Sequence, residues 1–293
     1  MKAGFPIQLA AAAAMGLGNM LAFASPVRDG PVAASLFADV ESIRPNNRFS
    51  LAIKLDVDAP WHAYWINPGD SGLPPDVAWS APEGFSIGPM LAPPPTAFPD
   101  PPFTTYGHSG EVVYLFDVSA PADLASSSVV FSAAVDWMVC NDVCIPGHAA
   151  LSLELPVSSA PGQVVLPRSD LFESARRVLP LVDPSWSIAA QWTGNHLTLS
   201  AFQSHGSVPA VVSAYFFPSQ PGVVDHSAPQ PFLVRENGFS IELAPSFSPG
   251  NAPNRLKGVL AMEMEGSKRH LLVDVRVPSS DSSDQFKTER NLP

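Results

Sequence analysis

The chain has 293 residues, a formal net charge of −11 and a hydrophobic share of 46%. Nucleic acid and anionic lipid surfaces carry the same sign of charge, so neither is an expected partner. The 33 prolines fall between apolar runs rather than in one biased tract, so they punctuate strands and turns instead of marking disorder.

Met1 and Lys2 open the chain, an alanine-rich apolar run follows from Ile7 to Leu21, and Ala22-Phe23-Ala24 precedes Ser25. A basic start, a short apolar middle and small residues at the end form a secretory signal peptide, with cleavage expected after Ala24. Asn19 and several glycines interrupt the run, which falls short of the roughly 20 apolar residues that a bilayer requires. No later segment reaches that length, so an exported chain without a membrane span is expected. What remains is enough for two domains of roughly 100 to 150 residues each.

Period-two patterns then recur. Phe49, Leu51, Ile53, Leu55 and Val57 share one face while Ser50, Lys54 and Asp56 take the other, which predicts a half-buried strand. The alternation returns at Val112, Tyr114, Phe116 and Val118, at Phe131, Ala133, Val135, Trp137 and Val139, and at Leu151, Leu153 and Leu155. After Pro156 it lapses into a small, flexible connector through Gly162, where a domain boundary is expected. One helix is predicted from Asp170 to Leu179, opened by an Asp170/Glu173 capping box and closed before Pro180.

Trp186, Ile188, Ala190 and Trp192 lead into the turn Thr193-Gly194-Asn195, and Leu197, Leu199 and Ala201 lead out, the pattern of a hairpin. Phe239, Ile241 and Leu243 form another strand, and Leu271, Val273, Val275 and Val277 the last one. Many short strands without a βαβ rhythm predict an all-β chain of two immunoglobulin-like sandwiches joined by a short linker helix. The expected division is a signal peptide at 1–24, a first sandwich at 25–157, a helical linker at 158–182, a second sandwich at 183–278 and a disordered polar tail at 279–293.

The sharpest chemistry lies in Asp136-Trp-Met-Val-Cys140-Asn-Asp-Val-Cys144-Ile-Pro-Gly-His148, which holds both cysteines of the chain. Trp137 and Val139 point inward, so Cys140 takes the opposite, accessible face. Asn141, Asp142 and Val143 form a three-residue loop, across which flanking residues approach to about the 5.5 Å between Cα atoms that a disulfide prefers. Three readings fit this pair. A structural disulfide is the ordinary fate of neighbouring cysteines in an exported protein, but so short a loop is worth only about 2 kcal/mol. Redox exchange suits an accessible pair that another thiolate can reach. Cu(I) binding is the third, with Cys140, Cys144 and His148 spaced four apart and Met138 close by.

The run from Trp61 through Tyr64, Gly69 and Asp70 to Pro75, the Phe103–Glu111 stretch with Tyr106-Gly107, and the cysteine cluster together resemble the amino-terminal periplasmic domain of DsbD-type thiol:disulfide interchange proteins. The resemblance is greatest to the ScsB-like subfamily linked to copper tolerance, and Tyr215-Phe-Phe-Pro218, Val223-Val-Asp225 and Ala228-Pro-Gln230 extend it over the second half. It implies an immunoglobulin-like sandwich that carries one exchanging pair, Cys140 and Cys144, and needs no cofactor. A thioredoxin-like or CcdA-like membrane donor would supply electrons, and periplasmic disulfide-containing proteins would accept them, a traffic that the wider family links to cytochrome c biogenesis. By position, Pro101 to Tyr106 would be a cap loop with Phe103 its shielding aromatic, and Tyr64 an aromatic beside the active site. The chain departs from the pattern in three ways. Its cysteines are spaced more closely than in the best-known member, Asp100 is the single candidate for the cap's acidic residues, and no transmembrane or thioredoxin part is expected, so the donor would be a separate polypeptide.

Trp61, Trp65 and Trp79 read as core or rim packing, and His62, His108 and His148 as ordinary strand histidines. No Ser/His/Asp arrangement, paired-carboxylate signature or phosphate-binding loop points to a hydrolase or a nucleotide-binding protein.

Overall fold

The computed structural model describes residues 25–158, 169–193, 195–203, 211–246 and 254–278. The expected signal peptide, most of the connector and the polar tail lie outside the described residues. In chain order the strands of the first half are β1 (Val27–Asp29), β2 (Val32–Ala38), β3 (Arg48–Gly69), β4 (Asp76–Ser80), β5 (Ser86–Ile87), β6 (Thr96–Asp100), β7 (Phe103–Ser119), β8 (Ser128–Cys140) and β9 (Cys144–Pro156). Helix α1 (Ser169–Val178) follows. The second half holds β10 (Trp186–Thr193), β11 (His196–Gln203), β12 (Val211–Pro218), β13 (Phe232–Arg235), β14 (Gly238–Leu243), β15 (Arg255–Met264) and β16 (Ser267–Arg276). No helix among the described residues is long and apolar enough to cross a membrane.

The predicted alternations become the two cores. Phe49 to Val57, Val112 to Val118, Phe131 to Val139 and Leu151 to Leu155 contribute every second side chain to one apolar cluster, because successive residues of a strand point to opposite faces. The long β3 joins the layers of this sandwich. Its first half pairs with β2 and β7, the register breaks after Val57, and at His62 and Ala63 it pairs with β8. In the second half, the sheet β10-β11-β14-β13 packs on the sheet β12-β15-β16, and Trp186, Leu199, Ile241, Leu260 and Leu271 lie in the core between them. β2 escaped the period-two reading because all seven of its residues are buried, which gives a continuous apolar run instead of an alternating one.

The helix begins at Ser169, so Asp170 lies inside its first turn rather than at its cap, a correction to the capping box. Asp170 there still complements the helix dipole. The helix is also more than a linker. Phe172 and Ala175 pack on Phe37, Ala52 and Leu115 of the first sandwich, and Arg176 pairs with Asp39 and donates to Ser50 Oγ. Burying the Phe172 ring alone contributes roughly 1.5 to 3 kcal/mol.

A fourth cluster joins the halves: Trp65 and Tyr106 of the first sandwich meet Phe217 and Val259 of the second. Beside it, the buried Asn67 donates its side-chain amide to the Pro218 carbonyl at 2.7 Å. One stretch of β3 therefore serves two purposes. Trp65 and Asn67 face the second sandwich, while His62 and Tyr64 face the cysteines.

Candidate functional site

Cys140 closes β8 and Cys144 opens β9, opposite each other across the Asn141–Val143 turn. Their sulfurs form a disulfide, with Cα atoms 4.1 Å apart. That is shorter than the expected spacing, as befits a tight pair at a hairpin end where facing residues approach most closely. Cys144 and all three turn residues are exposed, whereas Cys140 is half-buried. The bond is therefore presented on a solvent-facing bend with Cys144 as its open side.

Two residues of β3 border the pair. Tyr64 places its hydroxyl 3.3 Å from Cys144 Sγ, and because a disulfide sulfur carries no hydrogen the phenol is the donor. The rest of the Tyr64 residue is almost wholly buried. Burial pushes its phenol up, an effect that a hydrogen bond with Ser71 only partly offsets, so it stays protonated as a donor. The turn after β3 is built around this ring. Gly72 has φ +98°, and a Cβ there would fall 2.3 Å from the ring, so glycine alone lets Gly69-Asp-Ser-Gly72 lie across Tyr64.

His62 is the cross-strand neighbour of Cys140. Its ring stacks on Phe98 with centroids 4.2 Å apart and meets Tyr64 edge-on at 5.4 Å, and its Nε2 lies 3.5 Å from Thr105 Oγ1. Burial lowers the imidazole below its ordinary value, so it is neutral at neutral pH. Sequence reasoning set His62 aside as an ordinary strand histidine and passed over Phe98. A hairpin turning at Pro101-Pro102 puts Phe98 on the same face as Phe103, and that pattern was the available signal.

The residues expected in the cap separate. Phe103 is 54% exposed at the start of β7, opposite the exposed Asp100 across the hairpin turn. The aromatic of this hairpin that reaches the site is Phe98, which stacks on His62, the cross-strand neighbour of Cys140. Tyr106 points away, because it sits at the opposite phase of β7 to Phe103 and Thr105. It is fully buried against Phe217 and His226, with its hydroxyl 3.4 Å from that of Tyr215, so it belongs to the contact between sandwiches.

The expected copper ligands are not brought together. Met138 and His148 share a face with the cysteines, but His148 pairs with Asp136, four residues down β9 from Cys144, roughly 13 Å away. There its Nδ1 lies 2.8 Å from Asp136 Oδ1. No cluster of three or more His, Cys, Asp or Glu among the described residues could hold a metal ion.

Asp100 is exposed at the hairpin turn, and the carboxylate that hydrogen-bonds the hairpin backbone is that of Asp70. Its Oδ2 accepts the Thr104 N–H at 2.7 Å, and its Oδ1 lies 3.0 Å from His226 Nδ1 of the second sandwich. Burial alone would raise this carboxyl, but the Thr104, His226 and Ser227 hydrogen bonds outweigh it and hold the group below its usual range.

Residues 32–156 match the sequence profile of the family described as thiol:disulfide interchange protein DsbD, N-terminal. Among solved structures, the N-terminal periplasmic domain of ScsB from Proteus mirabilis is similar at 18% identity, over 87% of this chain and 98% of that one, with a TM-score of 0.61. That likeness extends past the matched residues and shows that the two-sandwich fold is shared. The major pilin subunit BcpA of Bacillus cereus (8% identity, 85% of this chain, 68% of that one, TM-score 0.28) and a tandem of titin immunoglobulin domains (11%, 84%, 98%, 0.19) superpose too poorly to inform fold or function. No curated protein sequence matches the chain. Over residues 32–156, which include both cysteines and the β3 strand that borders them, this chain carries a domain of the DsbD N-terminal family.

Proposed function

We propose that the chain is a periplasmic thiol:disulfide exchange module that relays electrons from a membrane or thioredoxin-like donor to disulfide-containing partners through Cys140 and Cys144. The observation that carries this reading is the pair itself. It is a closed disulfide on an exposed turn, with a phenol donor on the open sulfur. A bond that served only to brace the fold would gain little from closing a five-residue loop. The DsbD-type match and the likeness to the ScsB periplasmic domain support the same assignment.

In the reduced protein the exposed Cys144 thiolate attacks one sulfur of a partner disulfide. A Cys144–partner bond forms, and the partner's other sulfur leaves and takes up a proton. Cys140 gives its proton to solvent and attacks Cys144 Sγ, which closes the intramolecular disulfide and frees the partner's second thiol. Two electrons and two protons pass to the partner, and a donor dithiol reverses the sequence. Tyr64 donates to the Cys144 sulfur as it carries charge, so it favours both attack by this thiolate and its departure.

The test is a partner-reduction assay, using a thioredoxin-like domain and an insulin-type disulfide as substrates. Cys144→Ala should abolish turnover, and Cys140→Ala should stop it at an accumulating mixed disulfide held by Cys144. Turnover that survives both replacements refutes the reading.

A further inference from the structure

The β6–β7 hairpin forms one wall of the disulfide site through Phe98 and Thr105 on His62, and its turn is held by the second sandwich. Ser227 Oγ lies 2.6 Å from the Pro102 carbonyl in that turn and 3.0 Å from Asp70 Oδ2, so its single hydrogen serves one or the other. Asp70 binds the hairpin backbone twice, through the Thr104 N–H and by donating its own N–H to the Thr104 carbonyl at 3.0 Å. His226 then holds Asp70 from the far side. Its side chain is 5% exposed, its ring stands edge-on to Tyr106 at 5.1 Å, and its Nε2 is buried with no hydrogen-bond partner among the described residues.

The loop that carries these residues is itself fixed. Val224 is wholly buried in the second core, the Asp225 N–H donates to the Ala244 carbonyl at 2.8 Å, and the Asp225 carboxylate accepts the N–H groups of Ser227 and Ala228. The apolar contact of Trp65, Tyr106, Phe217 and Val259 already joins the halves. A carboxylate–imidazole pair whose imidazole is buried and whose carboxylate is partly exposed adds little net stability beside such a contact, because desolvation and solvent screening offset the attraction. It does fix geometry, and the element it fixes is the hairpin beside the cysteines.

We infer that His226 is a positioning residue for thiol–disulfide exchange, acting through Asp70 to seat the β6–β7 hairpin against His62, so that the second sandwich sets how far Cys140–Cys144 is open to an incoming thiol. This rests on the exchange reading for its biological meaning, while the seating itself can be measured with a small thiol. Dithiothreitol reduces the bond in two steps. One thiolate attacks a sulfur to give a mixed disulfide and releases the other cysteine, and the second thiol closes the ring, so that two electrons and two protons reach the protein.

The full chain is reduced with dithiothreitol under pseudo-first-order conditions, in wild type, His226→Ala, His226→Asn and Ser227→Ala. Losing one hydrogen bond to a charged group should release the hairpin enough to raise the rate constant of His226→Ala roughly tenfold. His226→Asn supplies an amide donor in place of Nδ1–H and should return the rate to near wild type. Ser227→Ala, a gentler change, should raise it about threefold. Equal rates in wild type, His226→Ala and Ser227→Ala, with thermal melting showing all three folded, overturn the inference and leave the exchange function standing. A His226→Asn variant as fast as His226→Ala also overturns it, since the effect would then be loss of packing. Should His226→Ala fail to fold, Ser227→Ala alone decides. The expected rates together with no reduction of any protein partner would uphold the seating and refute the exchange reading instead.

Discussion

Tyr64→Phe isolates the contribution of one hydrogen bond at the cysteine pair. The substitution removes only the hydroxyl that donates to Cys144 Sγ from 3.3 Å. The ring is almost wholly buried, flanked by His62 and overlain by Gly72, so it keeps its place, and the exposed Ser71 that loses a partner can turn to water. In the reduced protein the same donor faces a thiolate. A hydrogen bond to a charged group is worth about 1.5 to 3 kcal/mol net, and one pKa unit corresponds to about 1.4 kcal/mol. The Cys144 thiol of Tyr64→Phe should therefore titrate about one to two units higher than that of wild type. The assay is the ultraviolet absorbance of the thiolate against pH, read on reduced Cys140→Ala and on Cys140→Ala combined with Tyr64→Phe, so that one sulfur titrates. Exchange at neutral pH should slow in parallel, because less thiolate is present to attack. An unchanged titration midpoint would refute the role given to Tyr64.

Replacing both cysteines by alanine should lower stability by only about 2 kcal/mol, measured by chemical denaturation. A loss of 4 kcal/mol or more would point to a bracing disulfide. Gly72→Ala forces a side chain into the Tyr64 ring at a positive φ, so it should destabilise the fold by more than about 2 kcal/mol and displace the phenol from Cys144. Reduced variants then share the raised thiol titration of Tyr64→Phe. Burial holds His108 down to about 4. The unfolded chain takes up that proton below about pH 6.5 while the folded chain resists until about pH 4, so stability falls across this window by about 3 kcal/mol. His108→Phe should flatten the same stretch of the stability–pH curve, and equal slopes in the two proteins would show that His108 is not the cause.

The sequence by itself determined what short-range physics controls. Alternation at Phe49–Val57, Val112–Val118, Phe131–Val139 and Leu151–Leu155 named the side chains of the first core, because a strand sends every second residue to one face whatever its partners are. It also placed Cys140 and Cys144 across a three-residue turn, since that geometry involves only local backbone, whereas Tyr64 was pointed to by family resemblance and not by local physics. Only the tertiary structure decided which distant strands meet. That His62 lies beside Cys140 depends on where β3 bends from one layer to the other, a shift of register that no local pattern encodes. Phe98 and Phe103 share a face of one hairpin, and packing alone chose Phe98 to cover the histidine. Tyr106 was drawn to Phe217 and His226 by an interface whose other half lies more than a hundred residues away. Asp70 likewise reads as a turn residue until the fold brings His226 and Ser227 to its carboxylate. Side-chain phase along a strand is a local property, whereas the partner that a face meets is fixed by the packing of the whole chain.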